Sequence, residues 1–86
     1  MENSLTRNLM ESFRHLLSEE RKKRNLSQVQ LSERSGLSRQ TISLFESGKR
    51  MPTLLSLFLL SKGLNTSSVK LLSLLLKKIE LRGHGK

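Results

Sequence analysis

The sequence predicts an all-α fold of five short helices in a single domain, residues 1–86. Three observations predict it. Aliphatic residues recur at three- and four-residue spacing, the period of a helix rather than of a half-buried strand. Hydroxyl residues stand where N-caps are needed, at Ser27, Ser38, Thr53 and Thr66 or Ser67, just ahead of the periodic runs. Asn25, Gly36, Gly48 and Gly63 follow those runs as residues able to stop a helix. A chain of 86 residues has room for one modest core.

The first helix is expected from about Thr6 to Arg24, where Leu9, Phe13, Leu16, Leu17 and the stem of Arg21 form one buried stripe before the stop at Asn25. Ser27 caps a second helix over Gln28–Ser35, with Val29 and Leu31 facing inward. Gly36 tolerates the positive φ of a tight interhelical turn. Ser38 caps a third helix, Arg39 to Glu46, whose inward residues are Ile42 and Phe45, and Gly48 ends it. Thr53 caps a fourth helix running to about Lys62 and followed by Gly63. The fifth starts near Thr66 or Ser67 and reaches about Leu81, leaving Arg82-Gly-His-Gly-Lys as a frayed tail.

Sixteen Lys and Arg against seven Asp and Glu give a formal charge of +9 and a pI near 11.0, which calls for an anionic partner such as nucleic acid or an acidic surface. There is no cysteine, so disulfides and thiolate metal sites are excluded. His15 and His84 are far apart and neither has a second ligand at metal spacing, so no metal is expected. No phosphate loop, clustered carboxylates or nucleophile–base pair suggests an enzyme, and no cofactor is implied. Neither apolar run, Leu54–Leu60 or Leu71–Leu76, approaches the roughly 20 residues of a membrane span. Glu2, Arg7 and Glu11 spoil a signal-peptide core, so a cytoplasmic protein is expected.

Residues 27–46 hold the informative pattern: a short capped helix, a turn through Gly36 and Leu37, and a second capped helix. With Ile42 and Phe45 turned inward, Arg39, Gln40 and Ser43 turn outward near the helix start. That is the spacing of a helix-turn-helix, which presents hydrogen-bonding side chains to a major groove about 12 Å wide. Arg can donate bidentately to guanine, and Gln can both donate and accept at adenine. Taken singly, Arg39 and Gln40 also fit ordinary surface helix formers, and Lys49-Arg50 an ordinary basic loop. The turn, the caps and the charge together point to double-stranded DNA. Lys22-Lys23-Arg24 fits either a macrodipole-complementing helix end or a phosphate contact.

The run Leu26-Ser27-Gln28, Leu31, Ser35-Gly36-Leu37-Ser38-Arg39-Gln40-Thr41-Ile42-Ser43, Phe45-Glu46-Ser47-Gly48-Lys49-Arg50 and Pro52 resembles the XRE family, the Cro/repressor-type helix-turn-helix of phage and bacterial regulators. The resemblance covers about Phe13 to Leu64 and implies a compact, five-helix, lambda-repressor-like bundle. It implies that Arg39, Gln40, Ser43 and Leu44 contact bases, Leu44 by apolar contact with a thymine methyl. Ser27, Gln28, Ser38, Thr41, Ser47, Lys49 and Arg50 match backbone-contacting positions, which set register without reading sequence, and the residue that Gln28 matches often buttresses the recognition helix as well. Arg21 and Glu46 match a structural ion pair between the first and third helices.

The last two helices carry more leucine than one small core needs. Leu54, Leu57, Leu60 and Leu64 suffice to face the bundle, which leaves Leu55 and Leu59 together on another face. In the fifth helix Leu71, Leu72, Leu75, Leu76 and Ile79 form one stripe, extended by Leu74 and Leu81. Either these leucines cover one another within one chain, or they form a two-fold homodimer through Leu55, Leu59, Leu71, Leu74 and Ile79. The functional expectation is a sequence-specific transcriptional regulator, a repressor acting as a homodimer on an inverted repeat. The alternatives are an antitoxin with a toxin partner, for which a long tail is missing, and a restriction–modification controller. From a different class, a non-specific basic module for RNA or membrane would show salt dependence without sequence preference.

Overall fold

The computed structural model describes residues 4–84, and Glu2, Gly85, Lys86 and the side chain of His84 lie outside the described part. Five helices are present: α1 (Ser4–Lys23), α2 (Gln28–Ser35), α3 (Arg39–Glu46), α4 (Leu54–Gly63) and α5 (Ser68–His84). α1 packs on α5 and α3, α2 on α4 and α3, and α4 on α5. Phe13 of α1 meets Phe45 of α3 edge to face, with ring centroids 5.3 Å apart. Around that pair Leu16, Leu17, Leu26, Leu31, Ile42, Leu60, Leu64, Leu71 and Leu75 complete one core drawn from every helix.

The helix ends are where the chemistry of single residues decides. After α1 the Asn25 N–H reaches the Lys22 carbonyl and the Leu26 N–H the Arg21 carbonyl, with Asn25 left-handed at φ 58°. The same pair of bonds ends α3 at Gly48, φ 75°. It ends α4 at Asn65, φ 57°, and not at Gly63. Gly63 is instead the last residue of α4, buried where α4 crosses α2. The glycine expected to stop the helix therefore permits a close helix crossing.

Four inward assignments are corrected. Val29 is exposed because Leu31 and Ser35, four residues apart, take the inner face of α2, and Val29 lies about 200° from Leu31 around the axis. Leu54 is 67 % exposed, since Ser56 and Leu60 take the inner face of α4. Leu72 and Leu76 are likewise exposed, because α5 turns Leu71 and Leu75 inward. At the chain ends α1 begins two residues before Thr6, and α5 continues through Arg82 and Gly83 rather than fraying after Leu81. The Asn8 amide of α1 donates to the Ile79 carbonyl near the end of α5 at 2.9 Å. No helix among the described residues is long and apolar enough to cross a membrane.

Candidate nucleic-acid interface

α2 and α3 are held at their starts by side chains. Ser27 Oγ accepts from the Gln30 backbone at 3.0 Å while Gln30 Oε1 accepts from the Ser27 N–H at 2.8 Å, a reciprocal capping box. Gly36 carries φ 83°, and a side chain there would meet nothing within 4 Å, so it is the backbone conformation that calls for glycine. The turn is tied by Ser32 Oγ donating to the Leu37 carbonyl at 2.6 Å. Ser38 Oγ accepts from the Thr41 N–H at 3.0 Å and pairs with Thr41 Oγ1 at 2.8 Å. The Thr41 hydroxyl is thus part of the cap. Ser47 Oγ donates to the Leu44 carbonyl at 3.1 Å.

With Ile42 and Phe45 buried, α3 presents Arg39, Gln40, Ser43 and Leu44 within an arc of about 140°. The first three are exposed and Leu44 is half-buried. Arg39, Lys49 and Arg50 are exposed and form no ion pair among the described residues, and the same holds for Lys22 and Arg34. Several cations of α1 and its end and of α5 are occupied by contrast. Arg14 and Arg82 face Glu11, Lys78 bonds Glu19 at 3.0 Å, and Lys23 and Arg24 bond Glu20 at 3.2 and 2.7 Å. Of the basic run at the end of α1, Lys22 alone is thereby left for a phosphate. Lys62, Lys70 and Lys77 on α4 and α5 also lack an ion pair among the described residues.

Behind the recognition face, Arg21 and Glu46 meet side-on. Arg21 Nε donates to Glu46 Oε2 at 2.7 Å and Arg21 Nη2 to Oε1 at 2.9 Å. Their side chains are 11 % and 9 % exposed. Arg21 Nη1 donates to the Leu26 carbonyl at 2.8 Å, and the hydrogen bond that Arg21 donates to Glu46 raises the Arg21 pKa above its ordinary value. Gln28 braces the recognition helix at this same carboxylate: Gln28 Nε2 donates to Glu46 Oε1 at 3.2 Å. No sequence period joins residues 18 apart, so that bond becomes visible once the fold is known.

The leucines divide differently from expectation. Leu71 is 2 % exposed and belongs to the core, while Leu74 and Ile79 are partly buried against it. Their surface is largely used within the monomer, because α5 lays that side on α1. Leu55 is 65 % exposed and Leu59 half-buried. The apolar surface left open on these two helices comprises Leu54, Leu55 and Phe58 on α4 and Val69, Leu72, Leu76 and Leu81 on α5. The exposure of Phe58 follows from the rotation of α4 that exposes Leu54, and that of Val69 from the rotation of α5 that exposes Leu72 and Leu76.

Comparison with known proteins supplies the family. Residues 17–71 match the helix-turn-helix family model HTH_3. An uncharacterised HTH-type transcriptional regulator of Sinorhizobium fredii is 38% identical over 53 residues, 62% of this chain and 69% of that protein. The control protein C.SmaI of Serratia marcescens is 53% identical over 49 residues, 57% of this chain and 58% of that protein. Among solved structures, the wild-type restriction–modification controller protein C.Esp1396I superposes with a TM-score of 0.72 at 31% identity, covering 91% of this chain and 95% of that one. Its tetramer in complex with a natural 35 base-pair operator gives a TM-score of 0.73 at 31% identity, covering 91% of this chain and 97% of that one.

Proposed function

The chain belongs to the helix-turn-helix family HTH_3, and on that premise we propose that it is a sequence-specific transcriptional repressor that binds double-stranded operator DNA in the cytoplasm. One observation carries the reading: Arg39, Gln40 and Ser43 lie exposed on one face of a capped α3, flanked by Lys49 and Arg50, which form no ion pair among the described residues. Arg39 and Gln40 offer base-edge hydrogen bonds, and Leu44 offers an apolar contact beside them. Ser27, Gln28, Ser38, Thr41, Ser47, Lys49 and Arg50 hold the phosphate backbone. The hydroxyl of Ser27 accepts a backbone N–H bond as a cap, which leaves its own proton available to an acceptor, while Ser38 and Thr41 share one proton between their hydroxyls.

Arg39→Ala relaxes the preference at one base pair and costs about 1–3 kcal/mol on the preferred site. Lys49→Ala weakens preferred and random duplexes alike. Equal losses on both duplexes for Arg39→Ala would overturn its assignment as a reader.

The protein acts as a two-fold homodimer through the open face of Leu55, Phe58, Leu59, Val69, Leu72 and Leu76. A dimer sets two recognition helices about 34 Å apart and selects an inverted repeat. Control of a restriction–modification operon is the narrower reading. It is favoured by the 53% identity to a control protein and by the superposition on a controller protein over nine-tenths of the chain. A neighbouring endonuclease or methyltransferase gene supports it, and a different neighbourhood contradicts it.

A further inference from the structure

Glu46 accepts more than its ion pair requires. Both oxygens are engaged by Arg21, and Oε1 accepts in addition from Gln28 Nε2 at 3.2 Å. Because Arg21 Nη1 is tied to the Leu26 carbonyl, the guanidinium holds one orientation and holds the carboxylate with it. A primary amide has one carbonyl oxygen and two N–H donors. A fixed carboxylate attracts an N–H and repels the carbonyl, so a flip of the Gln28 amide is opposed. The amide therefore stands with one N–H on Glu46 and the second N–H free.

Gln28 is also the first residue of α2. In that turn the Ser27 and Gln30 N–H groups are taken by the capping box, while those of Gln28 and Val29 have no partner among the described residues. A phosphate seated there meets backbone N–H groups and the free amide N–H together.

We propose that Glu46 is a positioning residue for DNA binding: its carboxylate presets the Gln28 amide for a phosphate oxygen, so one acidic side chain serves both the fold and the interface. This rests on the DNA-binding reading above. The benefit is preorganisation, because a Gln side chain already ordered in the free protein loses less freedom on binding.

The test is a double-mutant cycle of Glu46→Gln and Gln28→Ala on the preferred duplex, with each variant confirmed folded by circular dichroism at the measuring temperature. Each single change weakens binding about three- to tenfold, the size expected for one preorganised side chain. In the Gln28→Ala background, Glu46→Gln has no further effect. Losses that multiply in the double variant would overturn the proposal.

Glu46→Gln also weakens the Arg21 pair and can prevent folding, so a second measurement uses the unaltered chain without DNA. Nitrogen-15 relaxation shows the Gln28 side-chain amide ordered near the backbone level, about 0.85, while that of exposed Gln40 falls below about 0.6. A Gln28 amide as mobile as that of Gln40 overturns the proposal. A wild-type chain without sequence preference overturns the DNA reading along with it, whereas sequence-specific binding with a multiplicative cycle overturns the positioning role alone.

Discussion

Gly63→Ala lowers the stability of the bundle although alanine is the better helix former. A Cβ at Gly63 would stand 2.9 Å from Leu31 Cδ1, 2.9 Å from Ser35 Cβ and 3.1 Å from the Ser35 nitrogen. Non-bonded carbons sit best at about 3.5–4.0 Å. Leu31 is fully buried, so its methyl has no open space to enter, and the Ser35 atoms move only with α2 itself. The new methyl must push α2 away from α4. Overpacking of this kind costs about 1–3 kcal/mol, and Gly→Ala in a helix returns about 0.5–1 kcal/mol. The net loss is about 1–2 kcal/mol. For a domain of this size that lowers Tm by about 5–15 °C. Thermal melts followed by circular dichroism read it directly. An unchanged or raised Tm would refute the reasoning, since helix propensity would then outweigh the close crossing.

Further predictions concern charge and assembly. Arg21→Ala leaves the buried Glu46 carboxylate without its cation and destabilises by about 3–5 kcal/mol in denaturant titration; a loss under about 1 kcal/mol would mean the pair behaves as an exposed one. Burial opposes ionisation of Glu20, but hydrogen bonds from Arg24 and Lys23 outweigh it and hold the carboxyl below its ordinary range. Glu11 is lowered first by its hydrogen bond from Arg14. A lowered carboxyl pKa contributes stability above the unfolded value, about 4.3, and loses it as pH falls through the folded value. Stability attributable to these groups is therefore level from about pH 7 to 5 and declines below about pH 4.5. Glu20→Gln flattens that acid slope, and a decline centred near pH 6 would contradict the assignment. Leu76→Glu or Leu55→Glu, on the open α4–α5 face, yields folded monomers in analytical ultracentrifugation; a wild type that is itself monomeric at micromolar concentration would remove the dimer.

Much of this was legible in the sequence because it depends on local chemistry. Ser27, Ser38 and Thr53 cap the helices expected of them, and Asn25 and Gly36 take the left-handed conformations their positions require. Ile42 and Phe45 fill the core as their spacing predicts. Helix rotation was less legible. Where nearly every position of a helix is apolar, as in α4 and α5, the period no longer tells which side is inner, and Leu54, Leu72 and Leu76 were turned the wrong way. Gly63 was misread because a glycine after a helical run serves equally as a stop or as a place of close approach. The crossing with Leu31 and Ser35, about 30 residues away, decides between them. The bond from Gln28 to Glu46 is likewise a product of the packed fold.

The central claim, that Arg39, Gln40 and Ser43 read DNA sequence, is tested most directly by selecting bound duplexes from a random library with the purified protein at about 150 mM salt, where non-specific attraction is partly screened. The account predicts enrichment of one inverted repeat with half-sites centred about one helical turn apart. Retention of duplexes with no sequence enriched would contradict it, and would leave α3 as a basic surface rather than a reader.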